Sequence, residues 1–381
     1  DSRLSRGLGD VYKRQRRHYA DAGLEKDFSI LDSDDQLRVI KRILKELELD
    51  DDQWQPEKVR WQINNWKDDA LRPKDIDDKG DFNLEMLKRI YAQYEAYMKR
   101  ENLLDFAELI LRSYELIRDK TNIRKLYQNK FRNVLIDEFQ DTNAIQFKWI
   151  KNLVGEKSTL TAVGDDDQSI YGWRGAKIEN INKFAKEKET EIVRLEQNYR
   201  STGNILNAAN AVIGKNSNRL GKKLWTEDND GDKIDVYEAY NEQEEANFVA
   251  ENIHKIFDGG DQYKDTAILY RSNAQSRTIE EFLLRQDIPY VIYGGVRFYE
   301  RMEIKNVISY LRLIVNRNDN TAFERAISVP PRGIGEKTIA NIRSSSQEQE
   351  ISLFQASKNM LKDGSLKGKA SVSMEHFTNF I

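Results

Sequence analysis

In the stretch Asn133-Val134-Leu135-Ile136-Asp137-Glu138-Phe139-Gln140-Asp141-Thr142, three consecutive apolar residues run straight into two acids. A short apolar run closed by acid suits a strand buried in a parallel sheet. Downstream, residues 143–153 have helical spacing, 159–163 form a second apolar run and 191–195 a third. Strand alternating with helix predicts a parallel α/β sheet. In such sheets ligands bind at the carboxyl ends of the strands, which is where Asp137 and Glu138 fall. A further α/β pattern follows residue 197, with strands expected at 233–238, 265–270 and 290–293 and helices at 242–257 and 276–286. Upstream, residues 19–130 read as almost wholly helical. Leu37, Ile40, Leu44 and Leu47 share one face of a helix over 34–49, and Leu84, Leu87, Ile90, Tyr91, Tyr94 and Tyr97 share one over 83–100. Trp54, Trp61 and Trp66 are expected to anchor this helical part. From Arg301 the chain turns helical again.

Composition narrows the function classes. The 381 residues are 39% apolar and 33% charged, and 6 Trp, 17 Tyr and 15 Phe provide core material. With no Cys, a disulfide scaffold, a thiolate metal site and a Cys nucleophile are excluded. The three histidines, His18, His254 and His376, are too scattered for a His-rich metal site. The 61 basic and 64 acidic residues nearly balance, so any nucleic acid is held by local patches. No apolar run approaches the roughly 20 residues of a membrane span. A soluble, cytoplasmic protein without a membrane partner is expected. Residues 1–17 carry six basic and two acidic side chains without helical or strand period. They are expected to be a disordered or non-native leader.

Three motifs carry chemistry. A strand ending in Asp137-Glu138 is the pattern in which the first acid holds Mg2+ through water and the second orients and deprotonates an attacking water. The second motif runs Val163-Gly164-Asp165-Asp166-Asp167-Gln168-Ser169-Ile170-Tyr171-Gly172-Trp173-Arg174-Gly175. Gln168 can hydrogen-bond a phosphate oxygen or the attacking water. Tyr171, Trp173 and Arg174 make a base-stacking platform with a cation beside it. The third is Leu195-Glu196-Gln197-Asn198-Tyr199-Arg200-Ser201-Thr202. Here Tyr199 suits stacking on a nucleotide base, and the planar fork of Arg200 suits its terminal phosphate.

In this order the three motifs resemble motifs II, III and IV of superfamily 1 DNA helicases, with wording closest to the DNA helicase II (UvrD/PcrA/Rep) branch. The resemblance continues in Leu269-Tyr270-Arg271-Ser272-Asn273-Ala274-Gln275-Ser276-Arg277, in Gly294-Gly295-Val296-Arg297-Phe298-Tyr299-Glu300-Arg301 and in Pro331-Arg332-Gly333-Ile334-Gly335. It runs from about Tyr19 to the end of the chain. It implies two RecA-like motor domains of the P-loop NTPase class, 1A (131–197) and 2A (198–298), both with incomplete parallel sheets. It also implies helical insertions 1B (18–130) and 2B (299–381). By motif, Asp137 corresponds to the Mg2+ ligand, Glu138 to the catalytic base and Gln168 to the γ-phosphate sensor. Tyr199 corresponds to the adenine-stacking residue and Arg200 to a γ-phosphate contact. Tyr171, Trp173 and Arg174 fall in the track for single-stranded DNA, and Glu303 near the 2A–2B junction. Arg332, Gly333, Gly335 and Lys337 match a helix-hairpin-helix-like turn near duplex DNA, although a plain turn between helices accounts for them as well. The implied activity is ATP-dependent 3'-5' translocation and duplex unwinding in DNA repair or replication.

One expected element has no counterpart. No Gly-x-x-x-x-Gly-Lys-Ser/Thr occurs in the sequence, and Gly221-Lys222-Lys223 and Gly214-Lys215-Asn216 lack its spacing and hydroxyl. The expectation is a fragment of a longer helicase, inactive by itself. Two alternatives are the motor of a helicase–nuclease subunit and a DNA-binding module without ATP turnover.

Overall fold

The computed structural model describes residues 17–26, 28–50, 52–187, 190–217, 219–293 and 302–381. Residues 1–16 of the expected leader and the motif at 294–301 lie outside them.

The first third is helical, stitched by one short parallel pair, β1 (Ser29–Ile30) with β2 (Leu103–Leu104). Its helices begin where acids can cap them. Asp32 accepts from the backbone N–H of Asp34 at 3.0 Å and Asp35 at 2.8 Å, opening α1 (Ser33–Glu46). Helix α2 (Pro56–Asp68) has proline in its first turn, where no N–H is missed. Asp81 caps α3 (Phe82–Arg100), and Asp105 caps α4 (Phe106–Asp119), followed by α5 (Thr121–Lys130). Ile40, Leu44, Ile63, Ile90 and Tyr91 form a core with Trp54 and Trp66. Trp61 does not join it and is 57% exposed. Helix α2 buries Val59, Ile63 and Trp66, one stripe at helical spacing. Trp61 stands two residues, roughly 200° of turn, from Ile63 and so faces out.

A β–α–β unit follows: β3 (Asn133–Ile136), α6 (Ala144–Leu153) and β4 (Thr159–Ala162). The strands pair in parallel from Asn133↔Thr159 to Ile136↔Ala162. Helix α6 packs on the helical part: Leu153 lies with Leu116, Ile117 and Tyr127, and Trp149 lies against Phe28, Leu104 and Leu109. The chain is thus α/β and rich in helix, with two two-stranded parallel sheets among its described residues.

The strands differ from expectation. Leu135 is 75% exposed, so β3 is not a strand buried on both faces. Residues 191–195, 233–238, 265–270 and 290–293 are not strands. A parallel strand exists through its neighbour's ladder. Here one isolated parallel bridge among the described residues, Gln197 with Trp225, is what remains, and Leu195, Val236, Leu269 and Val291 stand exposed.

The helices between them do form: α7 (Glu179–Ala185), α8 (Gly203–Ile213), α9 (Glu242–Asp258) and α10 (Asn273–Arg285). The last two pack through Ala250, Ile253 and Leu283. The C-terminal part is α11 (Met302–Val315), α12 (Asn320–Ser328), α13 (Glu336–Gln349), α14 (Leu353–Lys362) and α15 (Gly368–Phe380), around Leu313, Phe323, Ile342, Phe354 and Phe377. Glu303 lies in the first turn of α11. No helix among the described residues is long and apolar enough to cross a membrane.

Candidate functional site

The chain leaves β3 through Asp137 into Glu138, which holds a left-handed backbone conformation at φ 53°. For a residue with a Cβ this costs roughly 1–2 kcal/mol, a strain that collects at functional sites. Asp137 Oδ1 accepts the Glu138 N–H at 3.1 Å. Gln140, 1% exposed, connects this turn to the next strand. Its Nε2 donates to Glu138 Oε2 at 2.9 Å, and its Oε1 accepts the Asp165 N–H at 2.9 Å. Gly164 makes room for that bridge: a Cβ there would stand 2.8 Å from Gln140 Oε1. Asp165 extends the path, for Gln168 Nε2 donates to its Oδ2 at 2.7 Å. Burial pushes the Asp165 carboxyl up, but hydrogen bonds from Lys222 and Gln168 outweigh it and hold the group below its ordinary value. Glu138 and Gln168, far apart in sequence, are therefore joined side chain to side chain through Gln140 and Asp165.

The acids after β3 suit a hard cation. Asp137, Glu138 and Asp141 offer oxygen donors only, the chemistry Mg2+ prefers, although among the described residues the acids whose oxygens converge are Asp165, Asp166 and Asp167. Asp141 Oδ1 is buried with no hydrogen-bond partner among the described residues. Burial, then the neighbouring Glu138 charge, raises the Asp141 carboxyl above its ordinary value. Positive charge at this turn relieves both.

Tyr171, Trp173 and Arg174 form one cluster. The two rings lie 6.4 Å apart at 52°, and the Arg174 guanidinium stands 5.0 Å from the first and 4.5 Å from the second. Trp173 is 62% exposed, an open stacking face rather than a core residue. Gly175 turns the chain at φ 85°. Beyond it the segment is pinned to the end of the acidic turn. Lys177 N donates to Thr142 O at 3.0 Å, and the buried Asn180 Nδ2 donates to Thr142 O at 3.0 Å and Asn143 O at 3.2 Å. Asp68, at the end of α2, is pushed up to about 7 by burial and by Asp69 and Asp105, against a hydrogen bond from Asn143 and the Lys177 charge.

Tyr199 and Arg200 sit on a separate exposed segment. The Tyr199 hydroxyl donates to Gln197 Oε1 at 2.7 Å, and Asn198 Oδ1 accepts the Arg200 N–H at 2.9 Å. They meet the Gln168 turn through residues 219–225 rather than directly. Arg219 grips Asp167 with two bonds of 2.6 Å, Asp166 accepts the Leu220 N–H at 2.7 Å, and Lys222 pairs with Asp165. Lys223 N then donates to Glu196 Oε1 at 3.1 Å and Trp225 N to Glu196 O at 3.1 Å. The sequence pattern does not show the partners of Arg219 and Lys222, which lie on other elements, whereas Gln140 falls inside the motif at 137–142.

The turn at 332–337 belongs to the C-terminal helical core. Arg332 is turned inward, its Nη1 donating to the carbonyls of Ala326 at 2.9 Å, Pro330 at 3.0 Å and Ile327 at 3.2 Å. Gly333 needs its φ of 70° for the turn, and Gly335 precedes α13 as its N-cap. Nothing would crowd a Cβ at either glycine, and Lys337 is exposed, so this face is open.

Two family models match the chain. Residues 12–189 match the UvrD/REP helicase N-terminal domain, and residues 193–367 match the UvrD-like helicase C-terminal domain. The chain is 52% identical over 371 residues to DNA helicase II of Haemophilus influenzae, covering 97% of this chain and 51% of that protein. It is 49% identical over 374 residues to DNA helicase II of Escherichia coli, covering 98% and 52%. It is 43% identical over 343 residues to the ATP-dependent DNA helicase PcrA of Staphylococcus aureus, covering 90% and 47%. The chain spans about half the length of these relatives. With both family models matched in order and the acidic turn, glutamine and aromatic platform in place, the chain belongs to the UvrD-like family of DNA helicases.

Proposed function

We propose that this chain serves an ATP-driven motor that moves 3'-5' along single-stranded DNA and separates the duplex ahead of it. The observation that carries this reading is the path Glu138–Gln140–Asp165–Gln168, which sets a water-activating carboxylate and an amide within one hydrogen-bonded frame. In this reading Glu138 takes the proton from the attacking water, and Gln168 leaves Asp165 for the γ-phosphate. Tyr199 stacks on adenine and Arg200 answers terminal-phosphate charge. Asp137 would hold Mg2+, which when bound would offset charge on the phosphate oxygens. The Tyr171–Trp173–Arg174 cluster stacks successive bases of one strand. Because its exit is pinned at Thr142 and Asn143, rearrangement of the acidic turn is felt at the platform. Gly333, Gly335 and Lys337 face duplex backbone, with Arg332 shaping their turn. In domain terms, 131–197 and 198–298 contribute to motor domains 1A and 2A, and 18–130 and 299–381 to insertions 1B and 2B.

The test is ATP hydrolysis with and without single-stranded DNA, and unwinding of tailed duplexes. A full-length chain supplying a P-loop is expected to be stimulated by DNA and to unwind 3'-tailed substrates. The 381 residues alone, without a P-loop motif, are expected to turn over little ATP. Preference for 5' tails would contradict the direction, and DNA-stimulated hydrolysis by the 381 residues at a full-length rate would contradict the dependence on a P-loop.

A further inference from the structure

We propose that residues 219–225 act as a tie between the two halves of the nucleotide site, with Arg219 and Lys222 as positioning residues for Gln168 and Arg200. The inference rests on the ATP reading above and deepens it. Three consecutive acids on the Gln168 turn each meet this one short segment: Asp165 meets Lys222, Asp166 meets the Leu220 N–H and Asp167 meets Arg219. The segment is braced internally, since Arg219 Nη2 also donates to Lys222 O at 3.1 Å. Its far end holds the backbone just before Tyr199: Trp225 O accepts the Asn198 N–H at 2.7 Å, and Glu196 is held from both its carbonyl and its side chain.

The ion pairs are not ordinary surface pairs. The four side chains are 12–20% exposed, and Arg219 engages its carboxylate in parallel, the geometry in which such pairs are stiff. In the acidic triplet, whose carboxylates lie within 4.8 Å of one another, Asp165 and Asp167 are thus each paired with a protein cation and Asp166 with a backbone N–H. Asp165 is the shared point, because one of its oxygens holds Gln168 and the other Lys222. When Gln168 moves to a phosphate, Asp165 keeps Lys222. The turn, residues 219–225 and the Glu196–Asn198 backbone then move as one piece, which places Arg200 against the same phosphate.

The test compares steady-state ATP hydrolysis in the full-length chain for Arg219→Ala, Lys222→Met, Lys222→Arg and the exchange Asp167→Arg with Arg219→Asp. Glu138→Gln is the control for the ATP reading, and a thermal unfolding midpoint is taken for every variant. Misplacing a charge-stabilising group is expected to lower kcat about 10–100-fold in Arg219→Ala and Lys222→Met, with a smaller change in KM for ATP. Lys222→Arg is expected to retain most of the turnover, and the exchanged pair to recover at least tenfold over Arg219→Ala at an unfolding midpoint near the parent's. Should a single variant fail to fold, the exchanged pair and Lys222→Arg carry the test. Hydrolysis within twofold of the parent in Arg219→Ala and Lys222→Met, while Glu138→Gln abolishes it, overturns the tie. An exchanged pair no better than Arg219→Ala overturns it as well. Full hydrolysis in Glu138→Gln removes the ATP reading and the tie together.

Discussion

Two polar networks in this molecule are built from similar residues and differ in what they leave open. In the helical third, Lys67 is 1% exposed and pairs with Asp105 at 2.7 Å and Glu108 at 2.9 Å. Glu108 also takes Arg72 at 2.9 Å and Arg112 at 2.8 Å, while Asp105 accepts from the Tyr94 hydroxyl at 2.7 Å and caps α4. Those charges hold Glu108 well below its ordinary range despite its burial. Every acceptor is matched by a donor of this chain, so no ligand is needed. At the end of β3, by contrast, Glu138 and Gln168 are exposed, Glu138 is backbone-strained, and Asp141 keeps a buried oxygen unpartnered among the described residues. The same residue types make architecture when saturated and sealed. They make a candidate site when linked, exposed and incompletely satisfied.

That contrast can be broken by substitution. The largest stability effect belongs to the sealed network. Lys67→Met leaves the buried Asp105 carboxylate without its cation, while Glu108 keeps Arg72 and Arg112, with an expected loss of ~3–5 kcal/mol in denaturant unfolding. A loss below about 1 kcal/mol would mean that the network is not the closed unit described. At the open end, Trp173→Ala should leave unfolding nearly unchanged yet weaken single-stranded DNA binding by ~1–3 kcal/mol, read by titration at fixed salt. Unchanged affinity would remove Trp173 from the platform. A pH-dependent effect lies where the two regions meet. The Asp68 carboxyl titrates at about 7 in the folded chain, against an ordinary value of 3.8. The folded chain therefore binds more protons there than the unfolded one, and this site costs stability increasingly as pH rises from about 4 to 7. Asp68→Asn should be more stable than the parent at pH 8, with the gap closing toward pH 4. An equal gap at both values would contradict the assignment.

Much of this was legible in the sequence. Helix starts were written in local chemistry: Asp32, Asp81, Asp105 and Asn143 cap the helices that follow them. Strands β3 and β4 were legible because they are neighbours in sequence and pair with each other. The segments at 233–238, 265–270 and 290–293 have the strand pattern without a ladder, and pattern alone does not supply a partner. Trp61 was misplaced because an aromatic near helical spacing looks buried until the turn angle to Ile63 is counted. For the site, Asp137, Glu138 and Gln168 stood out by motif. The roles of Gln140 and Lys222 did not, since they depend on where Asp165 comes to lie. In the sequence Lys222 belongs to a glycine–lysine pair with the wrong spacing for a phosphate loop.

The measurement closest to the centre of the account is Glu138→Gln in the full-length chain, with ATP binding and ATP turnover measured side by side. The expected result is retained ATP binding and folding, with DNA-stimulated turnover reduced about 10²–10⁴-fold, because only the proton acceptor is lost. Undiminished turnover would show that the acidic turn after β3 does not activate the water, and the proposed motor chemistry would fail at its first step.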